Sequence, residues 1–414
     1  MTEPSAETRP YITSSGRDLR LDFLRGYFIL IMIIDHIAGP SPLYWFTGGI
    51  QFFVSGAEGF FLISGLVTGI VYHRIIESHG LSAALQKMLQ RLFVLYLVPP
   101  SLKLVALLMS DELLAASQPQ PQEIIRIFFL KAGGVITAYV FLFILAPLAL
   151  ILLNYGKGSY LLAISWIWYI LYVFFPDSAA FPYITFTNVS GLQALFFTAM
   201  YIGFKKYNTL DYGQKLLNRK WLMLFASSFI ILIIFYILLH PLFWMPQNVF
   251  PQGTTKWLDR HLFDNATLRP GRLVAGMAVY GTFFIFLSLY WKKASKAAGW
   301  FIMPFGVSAL YAFSVHIPLD NAVNILIAGD ILKSTFISNM LIQITVVFLI
   351  WFLTVKKVLA PTKETLRYWS LFPFALGALL LIIDYIIHST ILLPYLLRAL
   401  VYWTTWFQIG RAHV

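Results

Sequence analysis

Apolar runs long enough to cross a bilayer recur along this chain, and that repetition restricts the fold more than any single motif does. Spanning about 30 Å of hydrocarbon takes roughly 20 apolar residues in a helix. Such runs occupy residues 19–39, 48–73, 89–109, 133–153, 159–175, 188–204, 221–240, 272–291, 300–319, 335–355, 369–388 and 391–409, with Pro394 and Arg398 interrupting the last. The expected fold is therefore all-α: a polytopic integral membrane protein with about ten to twelve transmembrane helices. Composition agrees, because the 414 residues are 59% hydrophobic and only 12% charged, where soluble domains carry about a quarter charged residues.

Little else fits between the spans. Residues 1–16, "MTEPSAETRPYITSSG", are polar and contain two prolines, so they read as a cytoplasmic tail and not as a signal peptide. Residues 17–410 then form a single transmembrane domain. "PQEIIRIFFLKAGG", Pro121–Gly134, has apolar residues at helical spacing with Arg126 and Lys131 and is expected to lie in the interface. The net charge of +12 and the 17% aromatic content suit basic cytoplasmic loops and interfacial aromatic belts, not nucleic-acid binding. The absence of cysteine removes disulfides, thiolate nucleophiles and Cys-ligated metals, leaving His, Ser, Thr, Tyr or a carboxylate for any covalent chemistry.

With the N-terminus in the cytoplasm, strict alternation puts Arg17, Arg20, Arg74, Lys87, Arg91 and the paired lysines at 205, 292 and 356 on the cytoplasmic side, as the positive-inside rule requires. The loop from Pro241 to Gly271 is the exception. It carries Lys256, Arg260, Arg269, Asp259, His261 and Asp264 on the outer side, along with an acceptor-like "NAT" at Asn265, and is a candidate for binding something polar outside.

The first span, "RLDFLRGYFILIMIIDHIAG", holds ionisable groups where lipid disfavours them. Arg25 and His36 are eleven residues apart, which at 100° per residue puts them within about 20° of one face and ~16 Å apart along the axis. Asp22 lies near that stripe, and Asp35 points roughly 100° away from His36. Groups at this depth cost about 2.5–3.5 kcal/mol and nearly always face a cavity or a partner. The stripe is thus expected to face the interior. The alternative is an Asp22–Arg25 pair at one interface and a histidine at the other, serving only to place the helix.

The second span, "FFVSGAEGFFLISGLVTGIVYHR", puts Glu58 among Ser55, Gly56, Ala57 and Gly59, small residues that let helix backbones approach closely. Running back inward, it brings Glu58 to about the depth of His36. A carboxylate there would orient the imidazole and raise its basicity. The alternative is a protonated Glu58 hydrogen-bonded between helices.

These two stretches together resemble the OpgC family, membrane succinyltransferases of osmoregulated periplasmic glucans within a larger superfamily of bacterial membrane acyltransferases. The resemblance continues at "FTNVSGLQALFFTAMYIGF" around Gln193, "LRPGRLVAGMAVYGTF" around Arg272 and "FGVSALYAFSVHIPL" around His316. A Trp expected before the Gln is absent, and the C-terminal spans carry no motif of the family.

In that superfamily an Arg, ten intervening residues and a His mark the first helix, so the resemblance implies that His36 is the catalytic histidine; Glu58 and Asp35 are the carboxylates expected to serve with it. It implies transfer of an acyl group from succinyl-CoA or acetyl-CoA, made in the cytoplasm, to a hydroxyl of an extracytoplasmic glycan. Arg25, Asp22, Arg74 and Arg91 are then expected along the donor's path, where cations meet phosphate. Tyr311, Ser314, His316, Arg272 and Gln193 are expected at the acceptor or oxyanion end, Arg272 being a cation that a succinyl carboxylate could meet. His316 also reads as an ordinary interfacial histidine. No metal and no permanently bound cofactor is implied. The lipid bilayer, acyl-CoA and a carbohydrate are the expected partners, and the expected location is the cytoplasmic membrane. The acyl group, acceptor and oligomeric state stay open. Two other classes also place charges in helices: a proton-coupled transporter, and an N-acetyltransferase working through an acyl-histidine, resembling the lysosomal glucosaminide acetyltransferases.

Overall fold

The computed structural model describes residues 10–14, 16–49, 52–109, 134–175, 189–206, 219–239, 252–264, 268–358, 373–375 and 378. The chain is an all-α multi-pass membrane protein, and the described residues contain no strand beyond an isolated Ile12–Asp18 bridge. The helices are α1 (Leu19–Asp35), α2 (Tyr44–Thr47), α3 (Gly56–Met109), α4 (Val135–Asn154), α5 (Gly158–Phe174), α6 (Val189–Lys206), α7 (Arg219–Leu239), α8 (Gln252–Leu258), α9 (Pro270–Leu289), α10 (Trp291–Ala294), α11 (Trp300–Val307), α12 (Ala309–Ala328) and α13 (Phe336–Lys356). Among the described residues six helices are both long and apolar enough to cross a membrane. The expected spans at 369–388 and 391–409, the Pro121–Gly134 segment and Asn265 lie outside the described residues, apart from Gly134 and isolated positions near 375.

Two expected boundaries move, each for a local reason. The second span starts at Gly56 instead of 48, because Tyr44–Thr47 closes a short helix that ends at Gly48 in the left-handed region, φ 84°. It then joins the third span in α3, where Gly80 at φ 82°, ψ 169° breaks the helix into two arms. The ninth span, expected at 300–319, is two helices. The first ends where Ser308 leaves helical geometry (φ −107°, ψ 43°), with its N–H still bonded to the Pro304 carbonyl, and α12 continues to Ala328.

α1 is the centre of the bundle, packing against α3, α9, α11, α12 and α13. Its N-terminus is capped by Asp18, whose carboxylate accepts from the Arg20 N–H at 2.9 Å. Gly26 and Gly306 bring α1 and α11 into backbone contact: a Cβ on Gly306 would overlap the Asp22 carbonyl, and one on Gly26 the Ile302 carbonyl. Apolar side chains left exposed on α5, α7 and α13, such as Ile164, Ile231 and Leu341, form the surface that lipid covers.

Gly306→Val should destabilise the α1–α11 contact by more than the about 1–3 kcal/mol usual for overpacking, since backbone and not a flexible side chain is in the way. A thermal melt in detergent reads this, and an unchanged midpoint would show that these helices do not touch at Gly306.

Candidate active site

α1 ends inside the bundle, and the last carbonyls of a helix have no intrahelical partner. Side chains from three other elements supply them. Gln343 of α13 donates Nε2–H to the Ile34 carbonyl at 3.0 Å, Asn324 of α12 donates Nδ2–H to the His36 carbonyl at 2.8 Å, and the Tyr44 hydroxyl of α2 donates to the Ile37 carbonyl at 2.6 Å. Asn324 also accepts from the Ala38 N–H at 2.8 Å. His36, the residue that caps α1, is thereby fixed on both sides.

The His36 side chain is 42% exposed, and its inner edge meets two buried groups of α12. Nδ1 lies 3.2 Å from Nε2 of His316, with the rings stacked at 11° and 5.3 Å between centroids. The same Nδ1 is 3.8 Å from Oδ2 of Asp320, and His316 and Asp320 are both buried. His316 and Asp320 are four residues apart, so they share one face of α12. Phe313 sits edge-on to His316 at 4.8 Å.

Glu58 is not at His36. Its carboxylate lies 2.8 Å from Nε and 2.7 Å from an outer nitrogen of Arg272, with both side chains at most 3% exposed. Arg272 also donates to the carbonyls of Phe52 (3.2 Å) and Phe263 (3.1 Å). The expected His36–Glu58 contact is thus replaced by a buried ion pair, which a permanently charged guanidinium forms more readily than an imidazole. Asp35 accepts from the Thr47 hydroxyl at 2.6 Å and lines a cavity of about 950 Å³ with Tyr44, Trp45, Tyr236, Tyr280 and Phe283.

At the other end of α1, Asp22 holds Arg17 at 2.6 Å and stands 3.7 Å from Arg25, which is only 12% exposed. Arg25 and Arg91 line a second, small cavity of about 30 Å³ together with Ser64, Tyr139 and Phe313. Arg74 is apart from that cavity, donating to the Gly16 carbonyl at 3.0 Å. Of the residues expected at the acceptor end, only His316 meets His36. The Tyr311 hydroxyl donates to the Val358 carbonyl at 2.9 Å, Gln193 is tied to Ser165 and Ser190 in a buried α5–α6 contact, and Ser314 is buried.

A sequence profile described as OpgC protein matches residues 17–132 and 128–360. The chain belongs to the OpgC protein family. No curated protein and no solved structure matches it. Membership makes this OpgC protein a membrane acyltransferase-like protein. Asp320 and Asn324 were not singled out in the sequence, although "HIPLD" spaces a His and an Asp one helical turn apart.

Removing one partner of a buried ion pair typically costs about 3–5 kcal/mol, whereas replacing both with apolar groups is far milder. Arg272→Met should therefore lower the melting temperature strongly, and adding Glu58→Leu to it should recover much of the loss. Strictly additive losses in a double-mutant cycle would show that the two side chains do not interact.

Proposed function

We propose that this OpgC protein transfers an acyl group from cytoplasmic acyl-CoA, with succinyl and acetyl as the candidate groups, to a hydroxyl of an extracytoplasmic glycan, with His36 as the general base. The observation that carries the reading is the half-exposed His36 ring anchored through Nδ1 to His316. When Nδ1–H donates to Nε2 of His316, the lone pair of His36 Nε2 is left to act as base. It takes the proton of a sugar hydroxyl as that oxygen attacks the thioester carbonyl carbon. The C–O bond forms, the C–S bond breaks, and the imidazolium returns its proton to the departing CoA thiolate. Asp320, 3.8 Å from Nδ1, is the acidic partner for the imidazolium, the part first assigned to Glu58.

The donor's phosphates belong toward the opposite end of α1, near Arg25 and Arg91, whose cavity of about 30 Å³ has to widen to admit them and borders Phe313, the neighbour of His316. The basic residues of that end support a cytoplasmic position for it by the positive-inside rule, and in this reading the polar acceptor arrives from outside the cytoplasmic membrane. The cavity beside Asp35, with its aromatic walls, suits the faces and hydroxyls of a sugar.

His36→Ala should lower turnover by at least about 100-fold, as loss of a general base does, while the melting temperature stays close to wild type because the ring is 42% exposed. Purified protein in nanodiscs with succinyl-CoA and glucan oligosaccharides, read by mass spectrometry of the glycan, tests both; near wild-type turnover would reject the base. Arg25→Ala should raise the donor KM and leave the acceptor KM unchanged. The reverse pattern would mean that the donor enters at the other end.

A further inference from the structure

The inner side of the His36 ring carries donor atoms that proton transfer does not use up. Asp320 is 3% exposed, and neither of its carboxyl oxygens has a hydrogen-bond partner among the described residues. Buried polar atoms are nearly always paired, and an exception of this kind calls for a ligand or an ion. The ligand atoms of His36, His316 and Asp320 all lie within 4.8 Å of one another. Zinc holds nitrogen and oxygen ligands at about 2.0–2.2 Å, so two ligands of a tetrahedral shell stand about 3.4 Å apart. The separations from His36 Nδ1, 3.2 Å to His316 and 3.8 Å to Asp320, bracket that value.

We infer that His36, His316 and Asp320 form a three-ligand site for a divalent transition-metal ion of the zinc class, with its fourth position open toward the exposed face of His36. Two imidazoles and one carboxylate are a donor set that zinc accepts, whereas magnesium and calcium demand six or more oxygens. The site is largely built in advance. His316 and Asp320 share one helical turn, and the Asn324 bond to the His36 carbonyl fixes α1 against α12.

The consequence for activity rests on the proposed acyl transfer. A metal on Nδ1 displaces that proton and leaves the ring's remaining proton on Nε2, so the imidazole can no longer accept one from a hydroxyl. The ion is therefore an inhibitor of the base, not a helper of the reaction, and this revises the expectation of a protein without metal.

Binding is tested without turnover. Untagged protein in nanodiscs is titrated with Co2+, and the expected result is one bound ion with the visible absorption of a tetrahedral site. Asp320→Asn and His316→Gln should each weaken that binding by at least about 100-fold. His73→Ala, which removes the surface His73–Glu77 pair at 3.1 Å, should leave it unchanged. X-ray absorption at the zinc edge of the wild-type protein needs no variant to fold and should report two imidazoles and oxygen.

No saturable binding, binding lost only in the His73 variant, or an absorption spectrum without imidazole would overturn the site. Zn2+ should also inhibit acyl transfer, reversibly with EDTA. Binding without inhibition would leave the site standing and reject His36 as the base, whereas inactivity of His36→Ala with no metal binding would do the opposite.

Discussion

A helix that ends inside a membrane protein must find partners for its last carbonyls, and the position of His36 follows from how α1 meets that demand. The last carbonyls of a helix have no partner within it, and side chains that fill them also fix where the helix ends. Gln343, Asn324 and Tyr44 complete the terminus from three different elements, so α1 cannot rotate or slide without breaking all three bonds. The ring of His36 inherits that rigidity, and its inner edge is set against His316 and Asp320 before any substrate arrives. Such support suits the part proposed for His36, because a base loses efficiency when its orientation is left to chance.

The ion pair of Glu58 and Arg272 has a comparable role on the adjoining side. Arg272 joins Glu58 to the carbonyls of Phe52 and Phe263, so one guanidinium ties the start of α3 to the start of α9 and to the segment preceding it. That region forms a wall of the cavity beside Asp35. Charge buried inside the bundle is here a joint between helices, separate from the proposed chemistry.

The contrast between these two clusters shows what was legible in the sequence. Apolar runs revealed the membrane fold, since their length answers directly to bilayer thickness, and the Arg25–His36 spacing singled out α1, the helix at the centre of the bundle. Boundaries at Gly48, Gly80 and Ser308 were not legible to the residue, because they depend on backbone geometry that hydropathy does not encode. The partner of His36 was misjudged for a different reason. Counting residues from the helix ends put Glu58 at the depth of His36, but Gly56 and Gly59 pack against Phe28 and Ile31 of α1, more than a turn before His36, and which neighbour a side chain faces also depends on the rotation of each helix. The helical-turn spacing of His316 and Asp320 did not depend on that rotation, and it was the available clue.

In the proposed reaction donor and acceptor come from different compartments, and the two cavities bear on how they could be joined without a leak. Arg25 and Arg91 gather positive charge around one cavity, and Phe313 closes its far side while touching His316 with its ring. Phe60 lines the same cavity and stacks on Phe313 at 6.0 Å. One buried aromatic pair thus lies between the charged cavity and the imidazoles. A polar boundary there would let water and protons follow the Arg25–His36 stripe across the membrane, whereas two apolar rings exclude them until something thin and apolar takes their place. The pantetheine arm of a thioester donor is closer to that description than an ion or a sugar, which fits an acceptor that enters from the His36 end.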